Sequence, residues 1–283
     1  ELAILDAYGK KFGQPLSAVV SLLAPELYDP RPQVRYSGAI LSARGLKARV
    51  AAWTMWAYGF HAVKVKVGID GYDDPARLRI IRSRVGSKMD LRIDANEAWS
   101  PAEVVERIRA LEPFGISSVE QPVRHEDVAC LRQVRQEIQT PVMLDESLCS
   151  RVDAEQALAD QTCDLFNIRL SKCGGFIPSL RLAQLAKKHG LGYQLGCQVG
   201  ETPILSAAGR HFACAVRDIR YLEGSYDRRL LRERYVRPDI SFGWGGLAPA
   251  LPGGGLGIDP DRLVLERATR RQIVLVPASG RRQ

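Results

Sequence analysis

Lysines and carboxylates follow one another along this chain at near-equal intervals. Lys64 and Lys66 alternate with valines in Val63–Lys64–Val65–Lys66–Val67. Asp94 closes Leu91–Arg92–Ile93, Glu120 closes Ile116–Val119, Asp145 closes Val142–Leu144, and Lys172 follows Ile168–Leu170. From Lys66 onward the steps are 28, 26, 25 and 27 residues. Each is close to one strand–helix unit, so each side chain falls at the same end of successive strands. Carboxylates drawn together there repel one another unless a cation neutralises them. Oxygen ligands without His or Cys favour a hard divalent metal, Mg²⁺ first and Mn²⁺ second. Taken singly, an acid at a strand end reads as a helix cap or a loop ion pair; three in register between lysines do not.

The chemistry that follows is proton abstraction beside a carboxylate. A metal held by Asp94, Glu120 and Asp145 would bind the substrate carboxylate and stabilise the enediolate formed as the α-proton leaves. Lys66 and Lys172 are expected to flank the substrate from opposite faces, one taking a proton and the other returning it. A free lysine at pKa ~10.4 is too strongly protonated to be a good base near neutrality. Burial, the metal and Lys64 would bring it toward ~7–8, which casts Lys64 as an electrostatic partner.

These residues need a scaffold that aims them at one mouth. Short β-branched runs alternate with amphipathic stretches: Val34–Ile40, Ala62–Val67, Asp90–Asp94, Ile116–Glu120, Pro141–Leu144, Leu165–Leu170, Leu191–Leu195 and Val216–Tyr221 read as strands. A helix is expected to begin at Ser100–Pro101, with serine as N-cap. Seven strand–helix units and a final strand predict a TIM-like (β/α)7β parallel barrel over residues 34–222, with its site at the C-terminal strand ends. A doubly wound open sheet would carry a GxGxxG fingerprint, which is absent. Helices cover the outside of a parallel barrel, so outward valines send Lys64 and Lys66 into its interior. Within an N-terminal flank of residues 1–33, residues 1–28 read as a helical hairpin or a helix and its loop; residues 223–283 read as a C-terminal segment with a Gly/Pro-rich loop and a final strand over Gln272–Val276.

Composition narrows the partners. The 283 residues are 46% hydrophobic and 25% charged, an ordinary globular balance. The net charge of +8 is spread among acidic residues rather than gathered in a stripe, which speaks against nucleic acid and suits a small anionic substrate. No apolar run approaches a membrane span, and no signal peptide is visible. The chain opens on Glu1 rather than Met, which leaves room for sequence upstream. Six scattered cysteines form no CxxC pair and fit reduced thiols in a cytoplasmic protein.

Lys64-Val-Lys66, Asp94-Ala-Asn96, Val119-Glu120-Gln121-Pro122, Asp145-Glu146-Ser147 and Lys172-Cys-Gly-Gly175 together resemble the enolase superfamily, and within it the muconate lactonizing enzyme subgroup. The resemblance covers about residues 34–220. It implies Asp94, Glu120 and Asp145 as metal ligands and Lys66 and Lys172 as the acid/base pair. It also implies Asn96, Glu146, Ser37 and Ser225 around the substrate, and a homo-oligomer as one arrangement the family allows. Glu201 matches a rim carboxylate of the family, with a cap of the next helix as its alternative. Dipeptide epimerases of the subgroup carry Asp-x-Asp near the eighth strand. Here the stretch reads Glu223-Gly224-Ser225, with Asp227 the nearest acid beyond it. The family places an α+β capping domain before its barrel, and the flanks here resemble remnants of that domain. Racemisation or epimerisation of an acyl amino acid is the expected activity. A muconate-type cycloisomerase or an o-succinylbenzoate synthase-like lyase is the alternative, and a cap-less, catalytically weak metal-binding barrel the reading from another class.

Overall fold

The computed structural model describes residues 1–271 other than Ser225, and also residue 273. Eight parallel strands run in chain order: β1 (Gly38–Ile40), β2 (Ala62–Lys66), β3 (Asp90–Asp94), β4 (Ile116–Glu120), β5 (Val142–Leu144), β6 (Leu165–Ile168), β7 (Gly192–Leu195) and β8 (Ile219–Leu222). Helices Gly45–Ala57, Asp74–Val85, Val104–Leu111, Leu131–Glu137, Arg151–Asp160, Phe176–Lys188 and Pro203–Ala215 return the chain between them. This is the (β/α)7β barrel. Its two end strands meet where the Ser37 N–H donates to the Leu222 carbonyl at 2.8 Å.

Alternation along β2 sorts the side chains. Val63 and Val65 are fully buried on the helix side, while Lys64 is buried inside and pairs in register with Arg92. Local signals set the helix ends. In Arg151–Asp160, Ser150 and Asp153 cap each other reciprocally, satisfying N–H groups that a first helical turn leaves unpaired.

Several boundaries differ from expectation, the eighth strand starting at Ile219 rather than Val216 among them. The run Val34–Ile40 is two strands: Gln33–Arg35 leaves the barrel to pair antiparallel with Leu247–Pro249, and only Gly38–Ile40 joins the parallel sheet. The helix expected from Ser100 starts at Val104; Ser100 instead donates its hydroxyl to Glu103. The sixth strand stops at Ile168, short of Leu170. The expected strand over Gln272–Val276 lies outside the described residues.

The flanks meet one another. The Glu1 carboxylate accepts the N–H groups of Phe176 and Ile177, completing the first turn of helix Phe176–Lys188. Asp6 accepts the Leu256 N–H, and Gly255 lies so close to Gly9 that a Cβ on Gly9 would stand 2.6 Å from it. None of the helices among the described residues is long and apolar enough to cross a membrane.

Candidate active site

Register puts one row of charge at the mouth. Lys66 is paired with Asp94, and Asp94 with Glu120. Glu120 faces Met143, so Asp145 stands just past the end of β5. Gln121, whose φ of 34° is left-handed, fixes that position. Its side-chain Oε1 accepts the N–H groups of Asp145 (2.9 Å) and Ser147 (3.2 Å), while its Nε2 donates to Val123 O and Ser147 Oγ.

Inward side chains beneath this row form a charged layer. Lys64 Nζ lies 3.1 Å from Asp94, 3.3 Å from Glu120 and 2.7 Å from Glu223. Arg92 reaches Glu223 at 2.8 Å and Ser37 Oγ at 3.2 Å. Asn167 and Gln194 donate to the two oxygens of Glu120 at 2.8 and 3.4 Å. Arg169 bridges Glu120 (3.4 Å) and Asp145, and also reaches Gln198 Oε1 at 3.3 Å. Burial alone would lower the Lys64 ammonium, but Glu120, Glu223 and Asp94 together push it well above the usual lysine range. Glu120 is raised to about 7 by burial and then by Asp94, and Asp145 to about 6 by burial and then by Glu120. Asp94 is raised as well, chiefly by burial. Glu223 behaves oppositely: burial opposes its charge, yet Lys64 and Arg92 pull it down to about 2.

Lys66 donates to Asn96 Oδ1, and the Asn96 amide donates to Glu146 Oε1 at 3.1 Å. Lys66, Asn96 and Glu146 thus form a chain across the ends of β2, β3 and β5. Lys172 lies in the turn after β6. Its ammonium donates to the backbone carbonyls of Leu148 (2.5 Å) and Asn167 (2.9 Å) and lies 3.3 Å from Asp145 Oδ1. Ser37 sits below the mouth on Arg92, and Ser225 falls outside the described residues. Glu201 accepts from Gln198 N–H and Ser206 Oγ. Arg92, Asn167, Arg169 and Gln194 were missed as site residues. Carrying the period-2 alternation of β2 onto β3, β6 and β7 points all four inward.

The donor set suits a hard divalent cation. Asp94, Glu120 and Asp145 offer only oxygens, and their raised carboxyls mark a place where added positive charge is favoured. The buried Oδ1 of Asp145 and Oε2 of Glu146 accept no hydrogen bond. Among the described residues no three His, Cys, Asp or Glu side chains are closed into a ready-made cage, because Lys64 and Arg169 stand between the carboxylates.

Comparison with known proteins identifies related chains. The family profile described as "Enolase C-terminal domain-like" matches residues 47–263. The L-Ala-D/L-Glu epimerase of Bacillus subtilis (strain 168) is 33% identical over 265 residues, covering 91% of this chain and 69% of the relative. The crystal structure of the dipeptide epimerase from Cytophaga hutchinsonii, complexed with Mg and the dipeptide D-Ala-L-Val, superposes with a TM-score of 0.85 at 29% identity. It covers 94% of this chain and 70% of that one. The N-succinyl Arg/Lys racemase from Bacillus cereus ATCC 14579 gives 0.84 at 27% identity, covering 95% and 70%. The chain spans between 44% and 71% of the length of eight curated relatives that it matches.

Proposed function

The chain belongs to the enolase C-terminal domain-like family, and from that premise we propose that it is an isomerase acting on an N-acyl α-amino acid, dipeptides included. The reaction is removal and return of the proton α to the free carboxylate. The observation that carries this reading is the register Lys66–Asp94–Glu120, which sets one lysine ammonium beside an oxygen-only carboxylate cluster. Asp94, Glu120 and Asp145 would hold a divalent cation, Mg²⁺ ahead of Mn²⁺. When bound, that ion supplies positive charge to the substrate carboxylate and to the charge that develops as the proton leaves.

The remaining work falls to side chains of the chain itself. Lys66 Nζ, oriented by Asn96, moves the α-proton. Lys64 stays charged and holds Asp94 and Glu120 in place. Gln121 orients Asp145 through its backbone N–H. Glu223 is occupied by Lys64 and Arg92, so it is a counter-charge within the barrel rather than a contact for a substrate ammonium. A substrate whose acyl group carries no ammonium, such as an N-succinyl amino acid, suits that arrangement better than a dipeptide.

The test is proton exchange in D₂O with Mg²⁺. Dipeptides such as L-Ala-L-Glu and L-Ala-D-Glu are run beside N-succinyl amino acids, and recovered substrate is read by NMR. Deuterium is expected at the carbon bearing the free carboxylate, and Lys66→Ala should lose it. Absence of exchange in every substrate, with calorimetry showing Mg²⁺ bound, sinks the proposal.

A further inference from the structure

We propose that this site handles the α-proton on one face only, through Lys66, so that exchange with retention outruns epimerisation; the inference rests on the function just proposed. In an eight-stranded barrel β2 and β6 stand opposite one another. The inward residue that follows β6, on the side of the barrel opposite β2, is an arginine. Asn167 points inward to Glu120, and two residues on Arg169 points inward again, onto Glu120 and Asp145. A guanidinium stays protonated in proteins and has no acceptor lone pair, so it cannot take a proton from carbon.

Lys172 does not fill the gap. The Lys172 ammonium donates to Leu148 O and Asn167 O and lies 3.3 Å from Asp145 Oδ1 as an ion pair. Two of these are backbone carbonyls fixed by the fold. Cys173 Sγ, 3.8 Å away, lies against the same ammonium. The group is positioned as a support for the turn after β6 and for Asp145.

The step balances on one residue. The lone pair of neutral Lys66 Nζ takes the α-proton, the C–H bond breaks, and its electron pair moves into the carboxylate as a carbon–carbon double bond. In D₂O the resulting ammonium exchanges a proton for a deuteron. Return of that deuteron to the same face regenerates the starting epimer, labelled and uninverted. Arg169 contributes fixed positive charge opposite and no proton.

The experiment uses the full chain with Mg²⁺ and the epimeric pair L-Ala-L-Glu and L-Ala-D-Glu, or the enantiomers of whichever N-succinyl amino acid exchanges best. NMR follows deuterium at Cα and chiral chromatography follows inversion. Calorimetry measures the binding of each stereoisomer independently of turnover. Both should bind, one should exchange, and inversion should be at least tenfold slower than exchange. Arg169→Lys should start exchange in the silent stereoisomer and raise inversion at least tenfold. Equal exchange in both stereoisomers with inversion at the same rate would overturn one-sided handling and leave the proposed function standing. Absence of exchange in both would overturn the two together.

Discussion

Lys64 Nζ lies 2.7 Å from Glu223 Oε1, joining an ammonium on β2 to a carboxylate just past β8 across the barrel floor. Arg92 shares the same oxygen at 2.8 Å. Two cations that would otherwise be stranded among Asp94, Glu120 and apolar walls thus have a counter-charge that no metal site needs.

Glu223→Gln removes that charge while keeping the shape. Breaking one side of a buried ion pair leaves the other uncompensated, and unfolding in urea near neutral pH should show a loss of roughly 3 kcal/mol. Because Glu223 is pulled down to about 2, its contribution is fully present above the ordinary glutamate pKa and is lost as pH falls through the depressed one. The gap between wild type and variant should therefore shrink from about pH 4.5 toward pH 2. A gap that stays constant over that range would exclude the ion pair as its cause.

Gln121→Ala addresses the metal without touching a ligand. Asp145 and Ser147 both donate backbone N–H groups to the Gln121 side-chain Oε1, so the variant leaves the Asp145 carboxylate poorly aimed. Mg²⁺ affinity by calorimetry should fall about 10- to 100-fold, the usual effect of an outer partner. Asp94→Asn, Glu120→Gln and Asp145→Asn should each weaken it further.

Asn96→Ala separates orientation from binding. With no amide to bridge Lys66 and Glu146, the ammonium is free to wander. The rate constant for exchange should drop on the order of 100-fold while KM moves little. A change confined to KM would instead place Asn96 on the substrate.

Gly196→Ala probes the packing behind Glu120. A Cβ at this position would stand 2.3 Å from Asn167 Oδ1 and 3.0 Å from Arg169 Cγ, so both inward side chains must shift. Overpacking of this kind costs about 1–3 kcal/mol and should appear as a lowered Tm. Weaker Mg²⁺ binding should accompany it, since both side chains hold Glu120.

The spacing of acids revealed the barrel and its mouth because each strand–helix unit has nearly the same length, so the period survives in one dimension. The Val/Lys alternation of β2 was equally plain, since its outward residues are all valine. At β6 the same rule led elsewhere. Ile168 and Leu170 invite a longer strand whose next charge is Lys172, but the ladder ends at Ile168 and the inward positions are Asn167 and Arg169. The break at Tyr36–Ser37 left no local trace. Val34–Ile40 suits a strand throughout, and what divides it is a partner, Leu247–Pro249, supplied from far along the chain. Glu223 carried little signal as a counter-charge because Lys64 and Arg92 converge on it only after the sheet has curled.

Among the described residues, the bond from Ser37 to Leu222 is the one backbone link between the first and last strands of the cylinder. Elsewhere, opening the wall means parting two hydrogen-bonded strands, whereas at this join a single bond yields first. Amide hydrogens beside it should trade with solvent sooner than those of β3 or β4. Glu223 follows Leu222 directly, so each such gaping motion tugs on the carboxylate that anchors Lys64 and Arg92. The charged floor is hinged to the loosest stave of the cask.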